Sequence, residues 1–438
     1  PPSRAGGGPA GQGDGTGGSA ESEKRLVSLI EGGHEHFRKV EYAAALEKWT
    51  QALEIRQQTL GLEHPDTARL LNGIGNVHNK LGEDRKALDF YSRALAVREK
   101  TLGPNHPDTA RALSNCGIVR LKLGALEEAL ANHKRALSIA ERCPSVGPEH
   151  PDVARTYCDM GDVHDEAGRY ADAQACYRKA LNIQKVGLGD GHPDVARTLV
   201  GLGNVFMHEA VYQGACEYYE RGLRIQERTL GHAHPVTATT MSNHALALEK
   251  LGQRERALRT HQGALEMQKQ VFGDSHPDVA RTLSHIGQVH EAQGNLAEAF
   301  RCHEASYAIR ERSLGLEHAD TAYTLGRLGA VCRRREQLKK SMEYFSLALA
   351  VTEKALGPSH LATAVAAHNL GGVLQRLGEK QMALRNFQRA VETMEVSLRA
   401  LGQDHPFLAR ARESHRRCSD ALKEPGRPAT VQLAGVMA

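Results

Sequence analysis

The chain has 438 residues, of which 40% are hydrophobic, 25% charged and only 5% aromatic, and its formal net charge is +4. That length suits two or three ordinary domains, the scarcity of bulky rings argues against large single cores, and so small a charge gives no ground for nucleic-acid affinity. No run approaches the ~18 apolar residues of a membrane span, and the N-terminus lacks the apolar core of a secretory signal.

Residues 1–22 open the chain with a Gly/Pro-rich stretch, which predicts a disordered segment without heptads. From about Glu23 apolar residues fall at helical spacing, with no sustained period-two alternation, so helices and no sheet are expected. The first helix pair carries Gly33, then Ala45, the only tryptophan Trp49, and Ala52.

An internal repeat then dominates. The phrase L-G-x-x-H-P recurs, with its histidine at His64, His106, His150, His192, His234, His276, His318, His360 and His405. Six of the eight intervals are 42 residues, one is 44 and one is 45. Each unit reads as two helices. Gly61 ends one helix where a left-handed residue is needed. Pro65 then opens the next, because its fixed φ suits that position and its missing N–H is not needed there. Asp66 adds a negative charge at the positive end of the helix dipole. The first helix runs to about Leu81, Gly82 makes a tight turn, and Glu83 to about Thr101 forms the second helix.

Small residues recur where helices must pack closely: Gly75, Gly117, Gly161, Gly287, Gly329 and Gly371 in first helices, and Ala87, Ala129, Ala173, Ala257 and Ala299 in second helices. A ring recurs four residues beyond the second set, at Tyr91, His133, Tyr177, Tyr219, His261, His303, Phe345 and Phe387. His290 with His303, His78 with Tyr91 and His164 with Tyr177 are expected to face each other across helix pairs.

This small–ring–small grammar resembles the tetratricopeptide repeat, whose usual unit is about 34 residues. The longer unit, with phrases such as Ala52-Leu53-Glu54-Ile55-Arg56 and His64-Pro65-Asp66-Thr67-Ala68-Arg69, resembles the repeats of kinesin light chains and of nephrocystin-type proteins. The resemblance covers roughly residues 23–420. It implies an all-α fold of helix-turn-helix repeats stacked into a right-handed superhelical solenoid. The array would occupy 23–424, with nine helix pairs to about Leu398, a capping helix over about Phe407 to Leu422, and a disordered tail at 425–438.

The resemblance also implies a function: a non-catalytic, cytoplasmic and cytoskeleton-associated scaffold that holds extended acidic peptides in a concave groove. The sharpest form is a cargo adaptor for kinesin heavy chain or microtubule-associated cargo, with no nucleic-acid partner and no membrane insertion. A signalling or ciliary assembly scaffold, or the regulatory repeat array of a larger enzyme, are the alternatives.

In such solenoids the first helices line the groove. Arg69, Arg111, Arg155, Arg197 and Arg281 recur near their starts, and Asn72, Asn76, Asn79, Asn115, Asn204, Asn243 and Asn369 follow a turn or two on. Asn can pair with both a backbone N–H and a C=O, and Arg grips carboxylates bidentately, so the resemblance implies a peptide-binding row. A second reading has each Arg paired with the acid three residues before it, Asp66, Asp108, Asp152, Asp194 or Asp278, for ~0.2–0.5 kcal/mol a pair. Where the acid is Val236 or Ala362, the Arg is also gone, as Thr239 and Val365. Charge alternates along the row: Lys80, Arg111, Arg120 and Lys122 are basic, Asp159, Asp162, Asp165 and Glu166 acidic, and Arg327, Arg333, Arg334, Arg335 and Arg376 basic again. A partner with acidic groups at two separated places is expected.

No cofactor and no metal is expected. The nine phrase histidines lie far apart along the repeat, and His34 with His36 and His232 with His234 lack further ligands close in sequence. The eight cysteines form no C-x-x-C pair, which suits reduced thiols better than zinc or a disulfide framework. The Gly-rich start is not followed by Gly-Lys-Ser/Thr, and Gly73-Ile74-Gly75 falls inside a helix rather than after a strand, so phosphate and dinucleotide loops are excluded. The seventh to ninth units depart most from the pattern, with Ala319 and Leu361 in place of Pro, Ser341 in place of Ala, and Glu336 in place of the turn Gly. Hydrogen exchange should therefore show this end opening first, because neighbour stacking sets repeat stability; earlier opening of the first repeats would contradict this.

Overall fold

The structure, a computed structural model, describes residues 16–144, 146–231, 233–399 and 406–423. His232, the marker His405, most of the N-terminal segment and the C-terminal tail lie outside the described residues. The chain divides into two compact units, residues 1–211 and 212–438. In the first unit the helices are α1 (Thr16–Arg38), α2 (Tyr42–Leu60), α3 (Pro65–Lys80), α4 (Asp84–Thr101), α5 (Pro107–Lys122), α6 (Leu126–Arg142), α7 (Pro151–Glu166), α8 (Tyr170–Leu188) and α9 (Pro193–His208). In the second they are α10 (Tyr212–Leu230), α11 (Pro235–Lys250), α12 (Arg254–Phe272), α13 (Pro277–Gln293), α14 (Leu296–Leu314), α15 (Ala319–Arg334), α16 (Leu338–Leu356), α17 (Leu361–Arg376), α18 (Lys380–Arg399) and α19 (Pro406–Lys423). Among the described residues there is no strand. α1 begins ahead of the expected start near Glu23.

The recurring histidine has a definite local task. Its Nδ1 accepts the backbone N–H two residues on, from Asp66 to His64 at 3.2 Å and from Asp108 to His106 at 3.1 Å. His150, His192, His234, His276, His318 and His360 repeat this cap. An N-terminal amide of each of these eight first helices thus gains the partner that the helix itself cannot supply. The cap persists at α15 and α17, where Ala319 and Leu361 replace the proline, so the histidine rather than the proline is the constant element of the start.

Two kinds of turn alternate. Between helix pairs, Gly61 has φ 83° and ψ 173°. That is a positive-φ region with extended ψ, essentially closed to residues with a Cβ, rather than the left-handed helical geometry expected for it. Thr67 fastens this linker by donating to the Gly61 carbonyl at 3.0 Å, and Thr109, Thr321 and Thr363 do the same to Gly103, Gly315 and Gly357. Within pairs, the turn residue is left-handed at Gly82, Gly124, Gly168, Gly252, Gly294 and Gly378, but Val40, Ala210 and Glu336 stand at the equivalent place with φ of 65°, 60° and 59°.

Packing within a pair rests on glycine against a ring. A Cβ added to Gly75 would lie 2.7 Å from Tyr91, one on Gly117 2.5 Å from His133, and one on Gly329 2.9 Å from Phe345. Gly33 against Trp49, Gly161 against Tyr177, Gly287 against His303 and Gly371 against Phe387 are as tight. The rings therefore meet glycine backbone; His78, expected against Tyr91, stacks on Phe90 at 5.3 Å.

The choice of ring follows the first helix beneath it. Tyr91 donates to Asn76 Oδ1 at 2.6 Å and Tyr177 to Asp162 Oδ1 at 2.5 Å, each acceptor one residue past the glycine. His261 pairs through Nε2 with Glu249 at 2.7 Å and His303 with Glu291 at 2.9 Å, each acid a turn further on. Phe345 sits over Ala330 and Arg333, neither of them an acceptor, and Phe387 over Gly372 and an exposed Gln375. His133 breaks the rule. Its underlying positions are Ile118 and Leu121, it is fully buried, and neither ring nitrogen has a hydrogen-bond partner. Burial pushes its pKa down to about 4.

Two predictions follow from these local conflicts. A non-Gly left-handed residue costs on the order of 1 kcal/mol, so Val40→Gly should raise the denaturation midpoint, while Gly82→Val should lower it; an unchanged or lower midpoint for Val40→Gly contradicts the strain. In the unfolded chain the His133 ring takes up a proton near its ordinary pKa of about 6.5, but in the folded chain only near 4. Stability should fall as pH drops between these values, by up to about 1.4 kcal/mol per unit from this ring. His133→Phe should stabilise the protein at pH 7 and flatten that slope; an unaltered slope refutes the assignment.

Candidate functional site

Within each unit the first helices of neighbouring pairs also meet each other, α5 with α7 and α7 with α9, α15 with α17 and α17 with α19; among the described residues the second helices make no comparable approach. The candidate Arg and Asn residues lie on these first helices, and the structure sorts them by partner.

Arg69 lies 3.3 Å from Asp66, Arg155 3.3 Å from Asp152 and Arg281 2.7 Å from Asp278. Arg111 lies between Asp108, at 3.7 Å, and Asp152 of the next pair, at 3.4 Å. These four are helix-start pairs at exposed positions. Arg197 differs. Its guanidinium lies on Asp159 at 2.9 Å and Asp162 at 3.5 Å, both on the preceding first helix. Asp159 is only 3% exposed. Burial raises both carboxyls above their usual range, against the pull of Arg197 and, for Asp162, of the Tyr177 hydroxyl. Burial would lower Arg197, but the two acids outweigh it and hold the guanidinium charged.

The asparagines form rungs. Asn115 donates to Asn72 Oδ1 at 2.7 Å, and Lys122 donates to Asn79 Oδ1 at 2.5 Å, both between α3 and α5. Asn76 accepts the Tyr91 hydroxyl described above. Each amide keeps capacity: the Asn72 amide donors and the Asn115 carbonyl are not used in their mutual bond. Asn204 and Asn243 are each half-buried and each already engaged in an interaction of its own.

Three of the clefts beside the first helices hold candidate residues. One of about 630 Å³ is lined by Arg69, Asn72 and Asn76 together with Arg56 and Arg98. A second, of about 330 Å³, brings Arg111, Asn115 and Arg155 together with Asp152 and Asp159. A third, of about 490 Å³ in the second unit, includes Asn369 with Tyr323 and Val365. Asn79, Arg197, Asn204, Asn243 and Arg281 line none of these three.

The residues that join one pair to the next escape a reading centred on Arg and Asn. Gln184 accepts from Thr198 at 2.7 Å, Gln268 from Thr282 at 2.7 Å, and Arg310 donates to Thr324 at 2.6 Å, all buried. Arg98 and Arg310 also donate to the carbonyls of Asp108 and Asp320 in the following helix start. The constant offset of 14 residues between the side chains of each clasp is the signal that could have revealed them. On α13, Glu291 is a second hub: it takes His303, Arg327 at 2.6 Å and, through its carbonyl, Arg334 at 3.0 Å.

The tetratricopeptide repeat profile matches residues 36–100, 86–142, 144–185, 194–270, 239–312, 278–351 and 320–396, well over half of the chain. The chain belongs to the tetratricopeptide repeat family. No curated protein matches its sequence. Among solved structures, a signal-transduction ATPase with numerous domains and a tetratricopeptide repeat sensor, from Pyrococcus horikoshii, superposes with a TM-score of 0.62 at 12% identity, over 86% of this chain and 54% of that one. The apo form of RapI matches with a TM-score of 0.50 at 18% identity, over 65% and 97% of the two chains. BtubC (BKLC) of P. vanneervenii matches with a TM-score of 0.47 at 24% identity, over 52% and 91%. The first two share the fold of this repeat array. Among the described residues no group of three or more His, Cys, Asp or Glu converges as a metal site, and no helix is long and apolar enough to cross a membrane.

Proposed function

We propose that this tetratricopeptide repeat protein is a non-catalytic scaffold that binds extended, acidic peptide segments along its first helices, as a kinesin-light-chain-like adaptor. The observation that carries this reading is that Arg69, Asn72 and Asn76, and again Arg111, Asn115 and Arg155, line open clefts on that face. Asn amides offer a donor and an acceptor to a peptide backbone, and guanidiniums offer forked donors to a carboxylate. Their internal ion pairs do not bar this use. Arg111 is 65% exposed, and exposed pairs of this kind contribute only ~0–1 kcal/mol. An incoming carboxylate can therefore replace an Asp at little cost. The adaptor form of the proposal draws on the 42-residue unit and its phrases, which resemble those of kinesin light chains.

The test is a peptide-display selection against the full chain, followed by titration of the best hits at two salt concentrations. Acidic peptides should be enriched, and their binding should weaken with salt. Arg111→Glu and Arg334→Glu should each weaken binding about tenfold. Arg301→Glu, on the exposed side of the second helix α14, should leave it unchanged. Equal losses in all three variants would sink the proposal.

A further inference from the structure

The helix-start pair is missing from α11, with Val236 and Thr239, and from the adjacent first helices α15 and α17. In α15 the acid Asp320 remains but its basic partner is Tyr323, and in α17 both are replaced, by Ala362 and Val365. The cleft here has the same position relative to its helices as the one holding Arg111 and Arg155, but its walls are mostly apolar, with Tyr323, Ala330, Ala348, Leu361 and Val365 beside Arg327, Thr352 and Asn369. Tyr323 is 49% exposed, so the cleft keeps a large apolar surface in water.

The same face becomes strongly basic further along. On α17, Val365, Asn369, Gly372 and Arg376 recur at helical spacing, so they share one side. Arg376 donates to the backbone carbonyl of Arg333 at 3.4 Å. A Cβ added to Gly372 would meet Arg333 Nη1 at 3.9 Å, so the Arg333 guanidinium lies over the glycine. Arg376 has Glu336 as a counter-ion. Among the described residues neither Arg333 nor Arg410 on α19 makes an ion pair. Burial, and then Arg376 and Arg410, hold Arg333 below its ordinary pKa. Burial with Arg410 and Arg333 pushes the nearby His368 down to about 4. Among the described residues Arg333 and Arg410 are therefore left without an internal acid, while Arg376 is balanced by Glu336.

We propose that α15, α17 and α19 form a two-part subsite for an extended peptide, with one large apolar side chain in the cleft between Tyr323 and Val365 and a carboxylate of the same peptide on Arg333 and Arg410. This rests on the peptide-scaffold reading and specifies its ligand. Charge complementarity selects the acid, and the apolar cleft requires that the acid be carried on a chain with a bulky hydrocarbon or aromatic group. From Val365 the basic end lies seven to eleven residues along α17, at Gly372 and Arg376, or roughly 10–16 Å at ~1.5 Å per residue. An extended peptide advances ~3.3 Å per residue. The apolar and acidic residues should therefore be about three to five positions apart.

The experiment uses the full chain and fluorescein-labelled Gly/Ser peptides carrying one Leu and one Glu at stepped separations. Peptides with the predicted separation should bind about tenfold more tightly than those with Leu→Ser or Glu→Gln. The double variant Ala362→Asp/Val365→Arg restores the acid–base pair found in other units; because Val365 packs against the cluster of Met394, Leu408 and Ala411, the variant's melting midpoint is compared with that of the parent chain. It should remove the dependence on Leu while keeping the dependence on Glu. Arg333→Gln with Arg410→Gln should do the reverse and reduce the salt sensitivity. If display-selected peptides bind and respond to Arg111→Glu but to neither of these variants, the subsite is wrong and the scaffold reading stands. If neither the designed series nor any selected peptide binds, both readings fall.

Discussion

The contact on which the array depends is the seat of a second-helix ring on a first-helix glycine. A glycine inside a helix is destabilising by roughly 0.5–1 kcal/mol relative to alanine. Here it is required, because a Cβ at Gly75, Gly117 or Gly287 would fall within 3 Å of Tyr91, His133 or His303. What the helix loses in propensity is offset by burying a ring and bringing two backbones together. The exchange repeats in pair after pair, which is how a chain with few aromatics builds a core within each unit.

That contact also constrains the face on which ligands would bind. A buried hydroxyl or imidazole needs a partner, and the partners are first-helix residues: Asn76 for Tyr91, Asp162 for Tyr177, Glu291 for His303. The first-helix face is therefore partly an extension of the core. Its acidic stretch shows the consequence. Asp159 and Asp162 look like an acidic patch in sequence, yet Arg197 of the next pair lies on both. Glu291 is similar: burial opposes its charge, but His303 and Arg327 outweigh burial and hold its carboxyl below the usual range. Much of the charge alternation along the face is thus balanced internally between neighbouring repeats.

The helices were legible because their ends are marked chemically. The expected first helix from Pro65 to about Leu81 is found as Pro65–Lys80, the expected second helix ending near Thr101 is found as Asp84–Thr101, and the expected cap over about Phe407 to Leu422 is found as Pro406–Lys423. Gly, His and Pro at a fixed period leave little freedom in placing these boundaries. The site was less legible, and for a geometric reason. Arg197 has an acid three residues before it and two more one repeat back, and sequence spacing ranks only the first. Its choice depends on how closely α7 and α9 approach, which no local pattern encodes. The histidine cap was hidden differently: the residue was visible as a helix start, but its use of Nδ1 as an acceptor depends on a rotamer. Asn76 was readable as a surface amide until the ring of Tyr91 was placed above it.

Regularity is what gives the departures their meaning. The caps, linkers, glycine seats and buried clasps hold the repeat, while the exposed Asp–Arg pairs at helix starts contribute little each. Those pairs can be lost without endangering the fold, and they are lost at Val236 and Thr239 in α11 and at Tyr323, Ala362 and Val365 in α15 and α17. In α15 and α17 adjacent first helices change together toward apolar side chains that line a single cleft, and Arg333 and Arg376 lie further along the same two helices. His133 is the instructive contrast: it is also a departure, but it is sealed in the core, contacts no cleft of the first-helix face and has only a cost in stability. Departures that open onto the first-helix face and share a direction are the ones a ligand can read.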